Sequence, residues 1–336
     1  MIIFVFFLLS LALSLVSVYF FKIFAEKVGF YDIPKNELKD HKAPVPYAGT
    51  AIFIAFMVTM AALRFFTHFE TGTLYRIRGI IYGGSIIYLL GLFDDIFDLD
   101  FRVKFFWQTV AAVILIHFGI YIKLFANMPL NIAVSVFWVI LVSNAVNIID
   151  ILDGLAGGVA AIAAIGFFAV TLPTKMFYVN FTAIILFGVL LGFWFFNKPP
   201  AKAFMGDAGS LFVGFVLASL SMGADYSSVN IIGLFSPILI LGLPLFDTIL
   251  VSCFRFKNKQ SVFKGSRDHY ALRLTVAGFS PWQIDMISYG ISFMLCLGAF
   301  GMTVLSRSYA FLILVFVFLL GMVGSSMLGN IDISEK

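Results

Sequence analysis

Pro129–Gly158, PLNIAVSVFWVILVSNAVNIIDILDGLAGG, decides how the chain is read. Residues 129–148 are apolar over the roughly 20 positions that carry a helix across a hydrocarbon core. At the end of that run Asn144, Asn147, Asp150 and Asp153 recur at every third position, a spacing that puts them on one face of a continuing helix. Gly154, Gly157 and Gly158 then loosen the backbone. Polar residues that glue membrane helices together account for one or two asparagines, but poorly for four amides and carboxylates in line. The stripe suits a polar ligand such as a nucleotide or a sugar, presented at a membrane surface.

The rest of the chain fits that reading. Its 336 residues are 61% hydrophobic and 12% charged, and mean hydropathy is +1.04, which describes a membrane protein and excludes a soluble domain. Apolar runs fall near 2–24, 48–66, 79–93, 105–124, 129–148, 155–172, 180–196, 210–223, 231–254, 283–305 and 309–329, which predicts an all-α polytopic bundle of about 10–11 transmembrane helices. The first run has no positive region before it and no small-residue cleavage site, so it reads as a retained helix with its N-terminus outside. Cys253 and Cys296 lie in apolar runs and support neither a disulfide framework nor a thiolate metal site. With no repeat and no long polar linker, residues 1–336 read as one domain.

Alternating the runs from an outside N-terminus puts the C-terminus in the cytoplasm. Of the 22 Lys and Arg, the outer connections then hold Arg64, Arg76, Arg78, Lys123, Lys175 and Arg307; the others lie inside, as the positive-inside rule requires. Topology thus explains the net charge of +4, and no nucleic-acid partner is implied. The acids divide the same way, which that rule does not demand: only Glu70 and Asp225 fall outside. Carboxylates at the edge of a bilayer are costly and read as functional by default.

Asp94, Asp95 and Asp98 in GLFDDIFD can share a helical face, and such a cluster calls for a cation, which favours Mg²⁺. Lys104, with Gln108 one turn on, offers a point charge to a phosphate. In FMGDAGS, Asp207 sits between glycines, and Ser210 is placed to cap the helix that follows. Pro244 and Asp247 interrupt the 231–254 run, with a kink as the expected result. The loop RFKNKQSVFKGSRDHYALRL gathers Arg255, Lys257, Lys259, Lys264, Arg267, His269 and Arg273 and suits a diphosphate; attraction to anionic lipid accounts for its lysines equally well. His41 is a candidate for the rim of a cleft.

In order and spacing these motifs resemble the polyprenyl-phosphate N-acetylhexosamine-1-phosphate transferase family, which includes the phospho-N-acetylmuramoyl-pentapeptide transferases. The resemblance runs from Asp32-x-Pro34 and Pro44-x-Pro46 to the His269 loop, and the Asp32–His41 segment looks more like the O-antigen and teichoic-acid branch. It implies transfer of a sugar-1-phosphate from a UDP-sugar to undecaprenyl phosphate, with release of UMP. It also implies Mg²⁺ (or Mn²⁺) as cofactor, an inner-membrane location with the site on the cytoplasmic face, and a role in starting cell-surface glycan synthesis. A homodimer is compatible with it. Carried over residue by residue, Asp207 resembles the principal metal ligand. Asp94 and Asp95 resemble the acidic pair to which metal binding and deprotonation are both ascribed. Lys104 resembles a phosphate-contacting lysine, and Asn147, Asp150 and Asp153 the donor strip. His269, Arg267 and Arg273 would orient the acceptor phosphate or the leaving UMP.

Two departures stand out. Where the family reads H-x-H-H-R-L, this chain has His269-Tyr270-Ala271-Leu272-Arg273-Leu274, and where it reads D-G-x-D-G, this chain has Asp150-Ile151-Leu152-Asp153-Gly154. Two rivals remain in view. CDP-alcohol phosphotransferases share Asp150-x-x-Asp153-Gly154 but not the rest of their motif. An ion-coupled transporter would keep its carboxylates near the midplane, often in repeated halves.

Overall fold

A computed structural model describes residues 2–32, 44–66, 72–174, 176–261, 266 and 268–331. Arg267 and His41 lie outside the described residues. The chain runs through α1 (Ile2–Val28), the antiparallel pair β1 (Tyr31–Asp32) and β2 (Val45–Pro46), α2 (Gly49–Phe66), α3 (Thr73–Phe97), α4 (Phe101–His117) and α5 (Met128–Ile148). It continues through α6 (Leu155–Thr171), α7 (Phe177–Asn197), α8 (Gly206–Gly223), the short α9 (Ser236–Ile240), α10 (Gly242–Lys257), α11 (Tyr270–Val276), α12 (Pro281–Val304) and α13 (Arg307–Gly329). This is a polytopic all-α membrane protein.

Among the described residues nine helices are long and apolar enough to cross a membrane. Two expected spans account for the difference from the sequence count. The 105–124 run becomes α4, which ends at His117; Gly119, at φ +79°, then turns the chain. The stretch beyond is pinned to α5 by Asn131, whose Oδ1 accepts from the Leu124 and Phe125 N–H groups at 3.2 and 2.9 Å. The 231–254 run breaks at Leu241 into two segments bent by 74°. Pro244 explains the break: it has no N–H for the Ile240 carbonyl and its ring would strike that carbonyl in a continuous helix. In the first turn of a new helix neither cost arises.

At the centre lies α8, with 89% of its apolar window buried; at the periphery lies α13, with 0%. Lipid is as apolar as leucine, so close van der Waals packing holds such helices together. Phe212 of α8 meets Phe53 and Phe56 edge-on, each at 5.3 Å between ring centroids. A smaller cluster, with Ile149, Leu152 and Leu155 against Leu243, Tyr270 and Ile284, lies beside the α5–α6 turn. The candidate site is built where this turn, the start of α8 and the broken α9–α10 pair come together.

Candidate active site

Gly91 sets the geometry. A Cβ there would collide with the backbone of Asp207 and Ala208, so only glycine lets α3 lie directly on the first turn of α8. One turn further along α3, the Asp95 carboxylate accepts from the backbone N–H groups of Asp207 (2.8 Å) and Ala208 (3.0 Å). An anion at that position also offsets the positive end of the α8 dipole. Gly206, at φ +62°, turns the chain into the helix; a Cβ there would meet the Asp95 carboxylate at 2.8 Å. The expectation for Ser210 is therefore corrected. α8 begins four residues before it, Asp95 does the capping, and Ser210 Oγ instead donates to the Gly206 carbonyl at 2.8 Å.

Asp94 points elsewhere. Its Oδ1 accepts from the Leu99 N–H at 2.8 Å, and its Oδ2 pairs with the Lys104 ammonium. Lys104 also lies 3.5 Å from Asp207 Oδ2. Asn147 Nδ2 donates to Asp207 Oδ1 and to Ser210 Oγ, both at 2.9 Å. Asp94, Lys104, Asn147 and Asp207, drawn from four helices, thus form one cluster at the α8 N-terminus. The Asp94 side chain is 2% exposed and that of Asp207 33%, so the cluster has a buried root and an accessible tip. Asp98 does not join it. α3 ends at Phe97, and Asp98 takes a left-handed conformation (φ +52°), donating its N–H to the Asp94 carbonyl at 2.9 Å.

Among the described residues no three His, Cys, Asp or Glu side chains gather closely enough to enclose a metal ion. The donor set suits a different arrangement. Mg²⁺ prefers oxygen ligands and is usually held by one or two carboxylates plus substrate phosphates. Asp94 and Asp207 supply two such carboxylates, and the Lys104 ammonium between them already occupies a position of positive charge. Asp95 fits less well as a ligand, because both its oxygens are turned to backbone N–H groups.

The expected donor strip is not one helical stripe. α5 stops at Ile148, so Asn144 and Asn147 stand on the helix while Asp150 and Asp153 lie in the turn beyond. Tertiary partners enforce the break. Asn144 Nδ2 donates to the buried Gln108 Oε1 at 2.9 Å, and Asp153 Oδ2 accepts from the Ala201 N–H at 2.8 Å. Gly154, at φ +80°, gives its N–H to Asn197 Oδ1 (3.1 Å) and receives the Tyr289 hydroxyl on its carbonyl (2.7 Å). Sequence reasoning missed Asp285, which stands behind this turn on α12. Its Oδ2 is 2.5 Å from where a Gly154 Cβ would sit, and it is fully buried. Among the described residues neither carboxylate oxygen meets a well-aligned hydrogen-bond donor, and the neighbouring Tyr289 hydroxyl donates to the Gly154 carbonyl. The signal was an acid within a membrane span, with Asp285 and Tyr289 one turn apart on α12.

His269 and Arg273 belong to a separate corner, with no hydrogen bond or ion pair to the Asp207 cluster among the described residues. Asp247, fully buried on α10, accepts from the Tyr270 N–H through Oδ1 (2.8 Å) and lies 2.7 Å from His269 Nδ1 through Oδ2. Arg273, expected to contact substrate, is engaged by protein partners. Its guanidinium stacks on Phe254 at 4.0 Å, pairs with Asp268 at 2.9 Å, and donates to the Leu328 and Ile331 carbonyls at 3.1 and 2.9 Å. The planar fork with its many donors suits tying α11 to the end of α13.

Comparison with known proteins follows the same lines. Residues 77–225, which hold all four residues of the Asp207 cluster, match the family described as Glycosyl transferase family 4. A probable undecaprenyl-phosphate N-acetylglucosaminyl 1-phosphate transferase of Bacillus subtilis is 32% identical over 323 residues, covering 94% of this chain and 88% of the relative. Phospho-N-acetylmuramoyl-pentapeptide-transferases of Streptococcus sanguinis and Streptococcus uberis are 26% and 28% identical, over 76% and 84% of this chain and 84% and 93% of theirs.

Proposed function

Because this chain belongs to glycosyl transferase family 4, we propose that it moves an N-acetylhexosamine-1-phosphate from a UDP-sugar to undecaprenyl phosphate, on the cytoplasmic face of a bacterial inner membrane. An oxygen of the lipid phosphate bonds to the phosphorus that carries the sugar; the bond from that phosphorus to the UMP oxygen breaks, and UMP leaves. The observation that carries this reading is Lys104 held between Asp94 and Asp207 at the N-terminus of α8. Cation, paired carboxylates and helix N-terminus are the elements that phosphate chemistry needs.

In this scheme Asp207 and Asp94 hold a Mg²⁺ ion, which when bound neutralises the diphosphate and its developing charge. Lys104 contributes a second positive charge to the phosphate oxygens. Asn147 fixes the Asp207 carboxylate through Oδ1, leaving Oδ2 toward Lys104 and the ligand. Asp150 and Asp153 line the donor side, with Asp153 anchored through Ala201. Most of the acceleration comes from positioning and charge stabilisation. The test is purified protein in lipid nanodiscs with undecaprenyl phosphate, Mg²⁺ and a panel of UDP-sugars, read as UMP release. Release of CMP from CDP-alcohols instead would move the chain to the rival enzyme class. Full Mg²⁺-dependent transfer by Asp207→Asn would remove the metal assignment.

A further inference from the structure

Resting on that transferase reading, we propose that Asp247 is a positioning residue that fixes the tautomer and aim of His269, so that Nε2 is the nitrogen offered to the lipid phosphate. A carboxylate is an acceptor only. With Asp247 Oδ2 2.7 Å from Nδ1, the ring must carry its hydrogen there, and Nε2 is left with a lone pair. Nε2 makes no hydrogen bond to any described residue, whereas Nδ1 is locked. The other Asp247 oxygen accepts from the Tyr270 N–H, so one side chain both starts α11 and aims the histidine that precedes it.

The surroundings hold this pair rigid. Tyr270 is buried, its hydroxyl lies 2.8 Å from Ser288 Oγ, and Ser288 in turn donates to the Ile284 carbonyl at 2.7 Å. The ionisable groups described in this corner include Asp247 and the buried Arg255 on α10, Asp268, Tyr270 and Arg273 flanking the histidine, and Asp285 and Tyr289 on α12. Asp268 and Arg273 are paired with each other, which leaves Asp247 as the carboxylate on the ring. With one histidine where the resemblance has three, the chain relies on this carboxylate to define which nitrogen acts.

The step is a proton transfer. As the lipid phosphate oxygen bonds to the phosphorus of the donor, the proton of a phosphate monoanion passes to Nε2. The imidazolium formed keeps its Nδ1–H on Asp247, and the proton is returned to UMP or to water. The need for this step fades as the phosphate loses its proton unaided, with a pKa of about 6.

Asp247→Asn separates this role from a structural one. Its amide oxygen still accepts from Tyr270, so α11 stays capped, but its NH₂ donates to Nδ1 and moves the imidazole hydrogen to Nε2. The measurements are ¹⁵N spectra of histidine-labelled protein, with His269→Gln identifying the signal, and kcat and KM at about pH 6 and about pH 8. We expect the hydrogen on Nδ1 in the native protein and on Nε2 in the variant. We also expect kcat to fall about 10²-fold at the lower pH, with a smaller loss at the higher one and an unchanged KM for the UDP-sugar. An equal loss at both pH values, native kcat in the variant, or a native ring without hydrogen on Nδ1 would overturn the proposal. Asp247→Ala, which loses the cap as well as the carboxylate on the ring, should add lower thermal stability to the same pH-dependent loss, whereas native stability in Asp247→Asn separates the two roles. If the native protein releases no UMP at all, the transferase reading falls, while the spectra still report the tautomer.

Discussion

Asp94 and Asp95 occupy successive positions of α3 and have different duties. Asp95 turns to the backbone of α8, Asp94 to Lys104. Substitution should separate them. Asp95→Asn leaves one N–H group without a charged acceptor and should cost about 1 kcal/mol of stability, seen as a lower melting temperature in detergent. Asp94→Asn should melt close to native but lose transfer activity by roughly 10² or more, measured as UMP release. Lys104→Ala should show the same loss, because Asp94 and Asp207 then face each other without the cation between them. The acidic pair was legible in the sequence, since carboxylates in apolar surroundings stand out. Its division of labour was not, because that depends on a helix entered 112 positions later in the chain.

At the scale of elements, the sequence predicted most helices from apolar runs and missed what tertiary contacts impose. Three-residue spacing from Asn144 to Asp153 looks like one helical face. The chain leaves the helix because Asn197, Ala201 and Tyr289 take hold of the turn, and none of them is near it in sequence. Pro244 shows the converse: a local steric rule located the α9–α10 break to within one turn. Gly154→Ala tests the turn. Left-handed backbone costs an L-residue about 1–2 kcal/mol, and the added methyl meets Asp285. The expected result is a raised KM for the UDP-sugar in steady-state kinetics, with less change in kcat. Gly91→Val should act more broadly, pushing α3 off α8 and lowering both folded yield and activity, read by size-exclusion profile and UMP release.

For the whole molecule, one bundle brings residues from α3, α4, α5 and α8 to a single cluster, while α10–α12 form a second corner beside the α5–α6 turn. The sequence expects the acids to divide between the two sides, because each apolar run reverses the chain. The pairing of Arg273 with α13 could not be read there, since a basic residue in a polar loop looks the same whether it binds phosphate or carbonyls. Sidedness is testable directly. A cysteine placed at Asp225 should react with an impermeant maleimide from outside intact cells, and one at Asp100 only after the membrane is opened. The reverse pattern would place the cluster on the outer face.

Arg273 has one more consequence. Through Leu328 and Ile331 it fastens the peripheral last helix, whose burial is confined to a few residues around Ala310, to the short segment that carries His269. That makes α13 a tension member for the His269 corner. Anything that pulls on its C-terminal end, such as a bulky fluorescent protein fused just after Ile331, should be felt as slower turnover long before the protein fails to insert.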